Sequence, residues 1–184
     1  GPGRPGGTAM GTALLITGAP GSGKTTLIRA VVAELPRRSG GFFTEEIREG
    51  EARVGFRVSA LDGRTGTLAH VKTVQGPRVG RYRVDVAGFE AVGVDALEAA
   101  TQAADLVVVD EIGKMEVCSR RFIAALEAAL QSPKPLLGTI LLASHPWTDA
   151  LKRRPAVDLY RLTERNREHL KDALLARLLT EVPA

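Results

Sequence analysis

The feature that most constrains this chain is the run GAPGSGKT at residues 18–25, which fits the phosphate-binding pattern G-x-x-x-x-G-K-[ST] at every fixed position. It follows a short apolar run, Ala13 to Thr17, and precedes apolar residues at helical spacing from Leu27 to Leu35. When a strand is followed by such a loop and a helix, backbone N–H groups of the loop and the positive end of the helix surround the phosphate oxygens. The sequence therefore predicts that the chain binds a nucleoside triphosphate.

The residues of this loop have distinct expected roles. Its glycines let the backbone curl around the phosphates, Lys24 reaches the β- and γ-phosphates, and the Thr25 hydroxyl binds Mg²⁺. The predicted cradle consists of Gly18, Ala19, Pro20, Gly21, Ser22, Gly23, Lys24, Thr25 and Thr26, the last of which is expected to contact the α-phosphate. The alternative is a glycine-rich turn without a ligand, and the flanking strand and helix argue against it.

Length and composition predict a single domain without disulfides. The chain has 184 residues, enough to bury a core without cross-links, and Cys118 is its one cysteine. We expect a flexible leader or tag remnant at residues 1–9 and one domain at residues 10–184. With no signal peptide or apolar run of membrane length apparent, the expected location is cytoplasmic, and we expect a monomer.

The charge balance is mildly basic. The formal net charge is +4, yet no run reaches five like charges, and only 4% of residues are aromatic. Nucleic-acid binding is therefore possible but not favoured, and we interpret the arginines as solvated surface together with a few groups that serve an anionic substrate.

A second motif, which is acidic, lies just past the middle of the chain. The apolar run Leu106 to Val109 is typical of a buried parallel strand, and it leads directly into Asp110 and Glu111. Ligands of open α/β sheets bind at the carboxyl ends of strands, so Asp110 is expected to hold Mg²⁺ through a water and Glu111 to orient the attacking water. The alternative interpretation is an acidic helix start, with Asp110 as the cap.

The order of elements predicts an α/β fold, a three-layer P-loop sandwich with a mostly parallel sheet. Between the first helix and the acidic strand, an alternating pattern predicts a β-rich antiparallel insertion at about residues 41–86. Further predicted elements are a strand through Tyr82, Val84 and Val86, helices over 89–104, 122–130 and 166–179, and strands over 136–142 and 157–162.

Several segments together resemble one family, the small P-loop nucleoside-triphosphatases first described from thermophiles. The matching segments are TGAPGSGKTTL at 17–27, GFFTEEIR at 41–48, VGRYRVDVAGFE at 79–90, VDEIGKME at 109–116, residues 138–140, and Thr163, Asn166 and Arg167. The resemblance implies Mg²⁺-dependent hydrolysis of ATP, GTP and other triphosphates to diphosphate and phosphate, with slow turnover and broad tolerance of the base. Residues 143–157 match only loosely.

Other polar residues in these segments each allow two interpretations. Lys114 stands where the family has a basic or polar residue, so it either acts catalytically at the γ-phosphate or is a solvated lysine. Residues 44–48 either fold over the phosphates as a loop or form the polar rim of a strand. Asn166 and Arg167 either bind the nucleoside or serve the start of the last helix.

Two other functions share the same loop. A small nucleotide or nucleoside kinase would need a second pocket for its phosphoryl acceptor, whereas a strand that ends in Asp-Glu favours water as the acceptor. A nucleotide-dependent switch that binds RNA or protein would show hydrolysis that responds to its partner and to salt.

Overall fold

The computed structural model describes residues 11–181, so the predicted leader lies outside the described residues. Within this range, nine strands form one sheet: β1 Ala13–Thr17, β2 Ser39–Glu49, β3 Ala52–Ala60, β4 Thr65–His70, β5 Arg78–Val79, β6 Tyr82–Val84, β7 Leu106–Ile112, β8 Leu136–Ile140 and β9 Val157–Arg161. Their order across the sheet is β5-β6-β4-β3-β2-β7-β8-β1-β9.

In the described part of the chain, six α-helices accompany the sheet. They are α1 Lys24–Glu34, α2 Val86–Phe89, α3 Asp95–Ala103, α4 Arg120–Gln131, α5 Pro146–Lys152 and α6 Arg167–Glu181. A π-helical turn, Glu90–Val94, joins α2 to α3, and a 3₁₀ turn, Glu116–Cys118, precedes α4. Ser119 caps α4, because its side chain accepts a hydrogen bond from the Phe122 N–H.

The sheet has a parallel part and an antiparallel part. Strands β7, β8, β1 and β9 run parallel, and the first residues of β2 pair parallel with β7. The rest of β2 pairs antiparallel with β3, and β4, β6 and β5 continue that pattern to the edge. We call β3 to β6, together with residues 43–49 of β2, the antiparallel extension. The expected α/β fold with a mostly parallel sheet and an antiparallel insertion is thus confirmed.

Alternate residues of the central strands are buried on opposite faces of the sheet. Leu15 of β1 belongs to the same core cluster as Phe122 of α4, whereas Leu14 and Ile16 pack in a second cluster with α1 and α6. Because helices cover both faces, these strands are apolar without alternation, as parallel strands buried on both sides require. This layering places the carboxyl ends of β1, β7 and β8 at one edge of the core.

Two local expectations differ from the structure. Val86 was predicted on a strand, but it begins α2, because the Asp85 side chain accepts a hydrogen bond from Gly88 N and starts a helix there. The strand predicted over 136–142 ends at Ile140, whereas β7 includes the predicted Asp-Glu end and continues one residue further, to Ile112.

Candidate functional site

The glycine-rich loop leads directly from β1 into α1. Gly21 and Gly23 have φ angles of 77° and 90°, a region that residues with a side chain rarely adopt, so glycine is required for this curl. Gly23 is the N-cap of α1, and no side chain caps the helix or adds an acidic group to its first turn. The N–H groups at the positive end of α1 therefore remain available for an anion.

Lys24 and Thr25 lie on the first turn of α1 and reach in different directions. The Lys24 ammonium donates a hydrogen bond to Gly18 O across the loop, over 3.0 Å. Its Nζ also lies 3.4 Å from Glu111 Oε2. The Thr25 hydroxyl donates to Asp110 Oδ2 over 2.8 Å. Two contacts thus join the loop to the carboxyl end of β7.

Asp110 is a buried carboxylate held by hydroxyl groups. Only 1% of its surface is exposed, and besides Thr25 it accepts hydrogen bonds from Thr139 Oγ1 at 2.5 Å and Thr44 N at 3.5 Å. Burial raises the pKa of Asp110 to about 6, although the hydrogen bonds from Thr139 and Thr25 oppose that rise. A positive charge beside this carboxylate would stabilise its charged form and so lower its pKa.

Two further carboxylates share the space beside Gly113. A Cβ placed on Gly113 would lie 2.6 Å from Glu111 Oε1 and 3.0 Å from Glu116 Oε1, so the absence of a side chain makes room for both groups. Glu116 is 4% exposed, and burial together with the negative charge of Glu111 raises its pKa well above the usual range. Glu111 is half-buried and lies between Glu116 and the Lys24 ammonium.

These groups open into one cleft of about 920 Å³. At one end the lining comes from the loop and the first turns of α1, with Arg29 stacked 4.4 Å from the Phe43 ring centroid. At the other end the lining comes from the antiparallel extension and from Met115. The acidic groups Asp110, Glu111 and Glu116 lie on the wall as well.

The extension end of the cleft carries an aromatic pair and an arginine. The Phe56 and Tyr82 rings meet edge to face with centroids 5.3 Å apart. The Arg53 guanidinium lies 5.1 Å from the Phe56 centroid and donates through Nε to the Tyr82 hydroxyl over 2.9 Å. Arg53 also pairs with Glu46 at 3.2 Å, so its orientation is held from two sides.

The other predicted site residues lie in varied positions. Lys114 lines the cleft with an exposed side chain. Arg167 donates through a terminal guanidinium nitrogen to Gly23 O over 3.2 Å, which brings it against the loop. Asn166 accepts from Thr163 N and donates to Arg161 O, contacts that shape the turn before α6. Nucleoside binding by Asn166 and Arg167 stays a prediction.

Residues 44–48 form a strand and not a loop. They belong to β2 and pair with β3, for example Glu45 with Arg57 and Glu46 with Phe56. Thr44, Glu45 and Glu46 still line the cleft. The interpretation as a polar strand rim is therefore the correct one, and a loop that folds over the phosphates is wrong for this segment.

Sequence reasoning assigned no role to several residues of the cleft. Thr139 contacts Asp110, and the signal for it was a hydroxyl in the otherwise apolar strand β8. Arg53 and Phe56 reach the cleft only because β3 folds back beside β2, and a repeat of alternating residues does not indicate which face meets a ligand. Among residues 11–181, no group of three or more His, Cys, Asp or Glu side chains could hold a metal ion by itself.

Comparison with known proteins decides the family. Residues 13–175 match the profile of the NTPase family. This chain belongs to that family. The nucleoside-triphosphatase THEP1 of Thermotoga maritima is 45% identical over 165 residues, which cover 90% of this chain and 94% of the relative. A relative of the same name from Pyrococcus abyssi is 44% identical and covers 91% of this chain and 90% of its own length.

Two solved structures of family members have the same fold. The crystal structure of THEP1 from Aquifex aeolicus matches with a TM-score of 0.83 at 34% identity, over 90% of this chain and 98% of that one. The solution structure of a human cancer-related nucleoside triphosphatase matches with a TM-score of 0.74 at 34% identity, over 94% of this chain and 98% of that one. The resemblance seen in the motifs is confirmed, and the NTPase relatives support a hydrolase that acts on nucleoside triphosphates.

Within residues 11–181, every helix is too short or too polar to cross a bilayer.

Proposed function

We propose that this protein hydrolyses nucleoside 5′-triphosphates, ATP and GTP among them, to diphosphate and phosphate in a Mg²⁺-dependent reaction. The observation that carries the proposal is the pair of contacts that joins the loop to β7. Thr25 reaches Asp110 and Lys24 reaches Glu111, so the first turn of α1 and two carboxylates of β7 lie side by side. Their joint position is what γ-phosphate hydrolysis requires.

The residues present fit a magnesium ion. Thr25 Oγ1 and the Asp110 carboxylate supply oxygen donors, and Mg²⁺ is usually held by one or two carboxylates together with substrate phosphates. The lack of a larger acidic group among residues 11–181 agrees with such a shared site. When bound, the ion would neutralise charge on the phosphate oxygens.

The loop and α1 supply the groups that bind the phosphates. Lys24 can exchange its contact with Gly18 O for a phosphate oxygen, and the first N–H groups of α1 point the same way. The Ser22 hydroxyl is buried and has no hydrogen-bond partner within the described part of the chain. A buried hydroxyl without a partner costs free energy, which a phosphate oxygen would recover.

Glu111 is the group proposed to position water. It borders the cleft beside Lys24, where an attacking water would face the γ-phosphate. A carboxylate there orients the water and takes its proton as the oxygen–phosphorus bond forms. Because Glu116 is buried and its pKa is raised, it is less suited to be the base than Glu111.

A panel of triphosphates tests the activity directly. Phosphate release from ATP, GTP, CTP and UTP is measured with no acceptor present, across a Mg²⁺ titration and with a chelator. We expect release from several of them that stops on chelation. If no phosphate is released from any of the four, the proposal is overturned. If release continues unchanged in the presence of the chelator, the proposed role of Mg²⁺ is overturned.

The Glu111→Gln variant tests the mechanism. The amide keeps the shape but loses the charge that polarises water, so kcat should fall by about 10² or more while triphosphate affinity is retained. Glu49→Gln, at the exposed end of β2, is the matched control. Single-turnover hydrolysis and equilibrium binding are measured for both. A near wild-type rate for Glu111→Gln would assign the water to another carboxylate.

A further inference from the structure

The cleft continues past the proposed hydrolytic site along the antiparallel extension. Its walls there are Arg53 and Phe56 of β3, Leu68 of β4, Val79 of β5 and Met115 after β7, which we call the extension compartment. These residues lie on elements other than the loop and α1, so they are not needed to hold a triphosphate. The proposed hydrolysis leaves this part of the cleft without a role.

The position of the compartment relative to the phosphates follows from the site. Gly23 caps the start of α1, where it contacts Arg167 of α6, whereas Glu111 lies on β7, between the loop and the extension. If Lys24 and Glu111 meet the γ-phosphate, as proposed above, the nucleoside extends away from Glu111. The extension compartment is then on the far side of the γ-phosphate, where an attacking group must approach in line.

The walls of the extension compartment are suited to a ring. Leu68 is buried, Val79 and Met115 are partly buried, and Phe56 stands edge to face with Tyr82. Apolar and aromatic walls with a few fixed polar groups are typical of small-molecule sites. Here the fixed polar groups are Arg53 and its partner Glu46, which offer a donor and an acceptor side by side.

The charges indicate that the ligand is not an anion. Glu45, Glu46, Glu111 and Glu116 line this half of the cleft. Of the cations there, Arg53 is already paired with Glu46, and Lys114 is exposed. Even without the buried Glu116, three carboxylates face two cations in this half of the cleft, so a second phosphate group would meet a wall with an excess of negative charge, and like charges repel in a partly buried site.

We propose that the extension compartment binds an uncharged, ring-bearing alcohol that accepts the γ-phosphoryl group in place of water. The inference rests on the proposed function, because it uses the same triphosphate site. The alcohol oxygen forms a bond to the γ-phosphorus while the bond from that phosphorus to the β–γ bridging oxygen breaks. The hydroxyl proton passes to the Glu111 carboxylate, and the products are a nucleoside diphosphate and a phosphate monoester.

A transfer assay with named probes tests this step. The protein is incubated with Mg²⁺ and ATP labelled at the γ-phosphate, together with thymidine, uridine, adenosine, pyridoxine or benzyl alcohol added singly. The 5′-monophosphates of the three nucleosides serve as anionic counterparts. We expect label in a phosphate monoester with at least one of the uncharged alcohols, and less transfer to its phosphorylated counterpart.

Variants connect the transfer to the extension compartment. Phe56→Leu keeps an apolar side chain but removes the ring, and Arg53→Gln removes the cation. For the alcohol that works best, the ratio of transfer to hydrolysis should fall at least tenfold in each variant. Val74→Ala, at an 85% exposed position of the β4–β5 loop, is the control, and thermal unfolding verifies that all three variants fold.

The outcomes separate the two proposals. Label found only in inorganic phosphate with every alcohol overturns the acceptor site but leaves hydrolysis intact. Transfer that prefers the monophosphates overturns the argument from charge. If Phe56→Leu and Arg53→Gln leave the ratio of transfer to hydrolysis unchanged, the acceptor binds outside the extension compartment. No turnover of ATP with or without an alcohol overturns the proposed function itself.

Discussion

The two ends of the cleft are built in different ways. At the loop end, the polar groups are backbone N–H groups, two hydroxyls and a buried carboxylate, and Thr25 and Asp110 connect elements 85 residues apart in sequence. At the extension end, the wall is an antiparallel sheet whose polar groups include Glu45, Glu46 and the half-exposed Arg53, which the Tyr82 hydroxyl orients. The first end has the groups that phosphate sites use, and the second has apolar and aromatic walls.

The two ends therefore differ in what constrains their residues. The loop end is constrained by backbone geometry, because only glycine adopts the φ angles at residues 21 and 23 without strain. The extension end is constrained by side-chain packing, which tolerates substitution when volume is kept. We therefore expect substitutions at the loop end to affect turnover most, and those at the extension end to affect ligand choice or stability.

The largest expected effect belongs to Lys24. Lys24→Ala removes the ammonium that borders both Gly18 O and Glu111, and with it a preorganised charge for the γ-phosphate. Hydrolysis should fall by about 10²–10³-fold, and triphosphate affinity at constant Mg²⁺ should weaken. Phosphate release and equilibrium binding measure both effects.

Lys114→Ala is the matched comparison for Lys24→Ala. Both lysines line the cleft, but the Lys114 side chain is exposed, so its charge is screened by water. We expect a loss below about tenfold in kcat/KM. A loss equal to that of Lys24→Ala would show that Lys114 acts catalytically, as the family resemblance suggests, and wild-type turnover by Lys24→Ala would refute the assignment of the loop.

Asp110→Asn should separate stability from metal binding. The pKa of Asp110 is raised to about 6, so without ligands its ionisation opposes folding, and the stability it contributes is lost as pH rises through that value. The unfolding free energy of the Asn variant should therefore exceed that of wild type by at most about 3 kcal/mol at pH 8 and by about half of that at pH 5, because the unfolded carboxyl is already ionised at pH 5. Thermal unfolding at both pH values measures this.

The same variant should lose its response to magnesium. An amide oxygen binds Mg²⁺ less strongly than a carboxylate, so Asp110→Asn should need far more Mg²⁺ for hydrolysis. In wild type, protons compete with Mg²⁺ for Asp110, so the apparent affinity for Mg²⁺ should fall as pH drops below about 6. An unchanged Mg²⁺ titration in the variant would contradict the assignment of Asp110.

The sequence was informative where chemistry fixes the residue type. The loop, the apolar strand before Asp110 and the central helices were predicted because each depends on local pattern, and the order of elements indicated the fold class. Two contacts were not predicted, that of Thr139 with Asp110 and that of Arg53 with Tyr82, because they depend on which strands become neighbours in the sheet. The wrong prediction for Val86 has a similar origin. The alternation of apolar residues through Tyr82 and Val84 continues by chance to Val86, although Asp85 caps the start of α2.

A tenfold effect is expected at Gly113, between the two ends. In Gly113→Ala the new Cβ would approach Glu111 Oε1 and Glu116 Oε1, which are the ends of flexible side chains. The carboxylates can move aside, so the fold should tolerate the change while Glu111 is displaced. We expect kcat to fall by about tenfold, since small misplacements of a positioned group are costly. Unchanged kcat would mean that the position of Glu111 is not limiting.

The smallest expected effect compares the two tyrosines of the chain, each of which accepts a hydrogen bond from an arginine. Tyr82 accepts from Arg53 at 2.9 Å in the extension, and Tyr160 accepts from Arg177 at 3.0 Å at the opposite edge of the sheet. Replacing either by Phe should cost about 0.5–1.5 kcal/mol in unfolding free energy, or a few degrees in Tm. Calorimetry or denaturant unfolding measures that cost.

The two tyrosine variants should then diverge in one respect. Only Tyr82→Phe releases Arg53 from its fixed orientation beside Phe56, so only this variant should lower the ratio of phosphoryl transfer to hydrolysis. Tyr160→Phe loses a similar hydrogen bond but lies far from the compartment across the sheet, which makes it a control for stability alone. If both variants lower the ratio equally, the change follows stability, and the preorganisation of Arg53 has no part in acceptor binding.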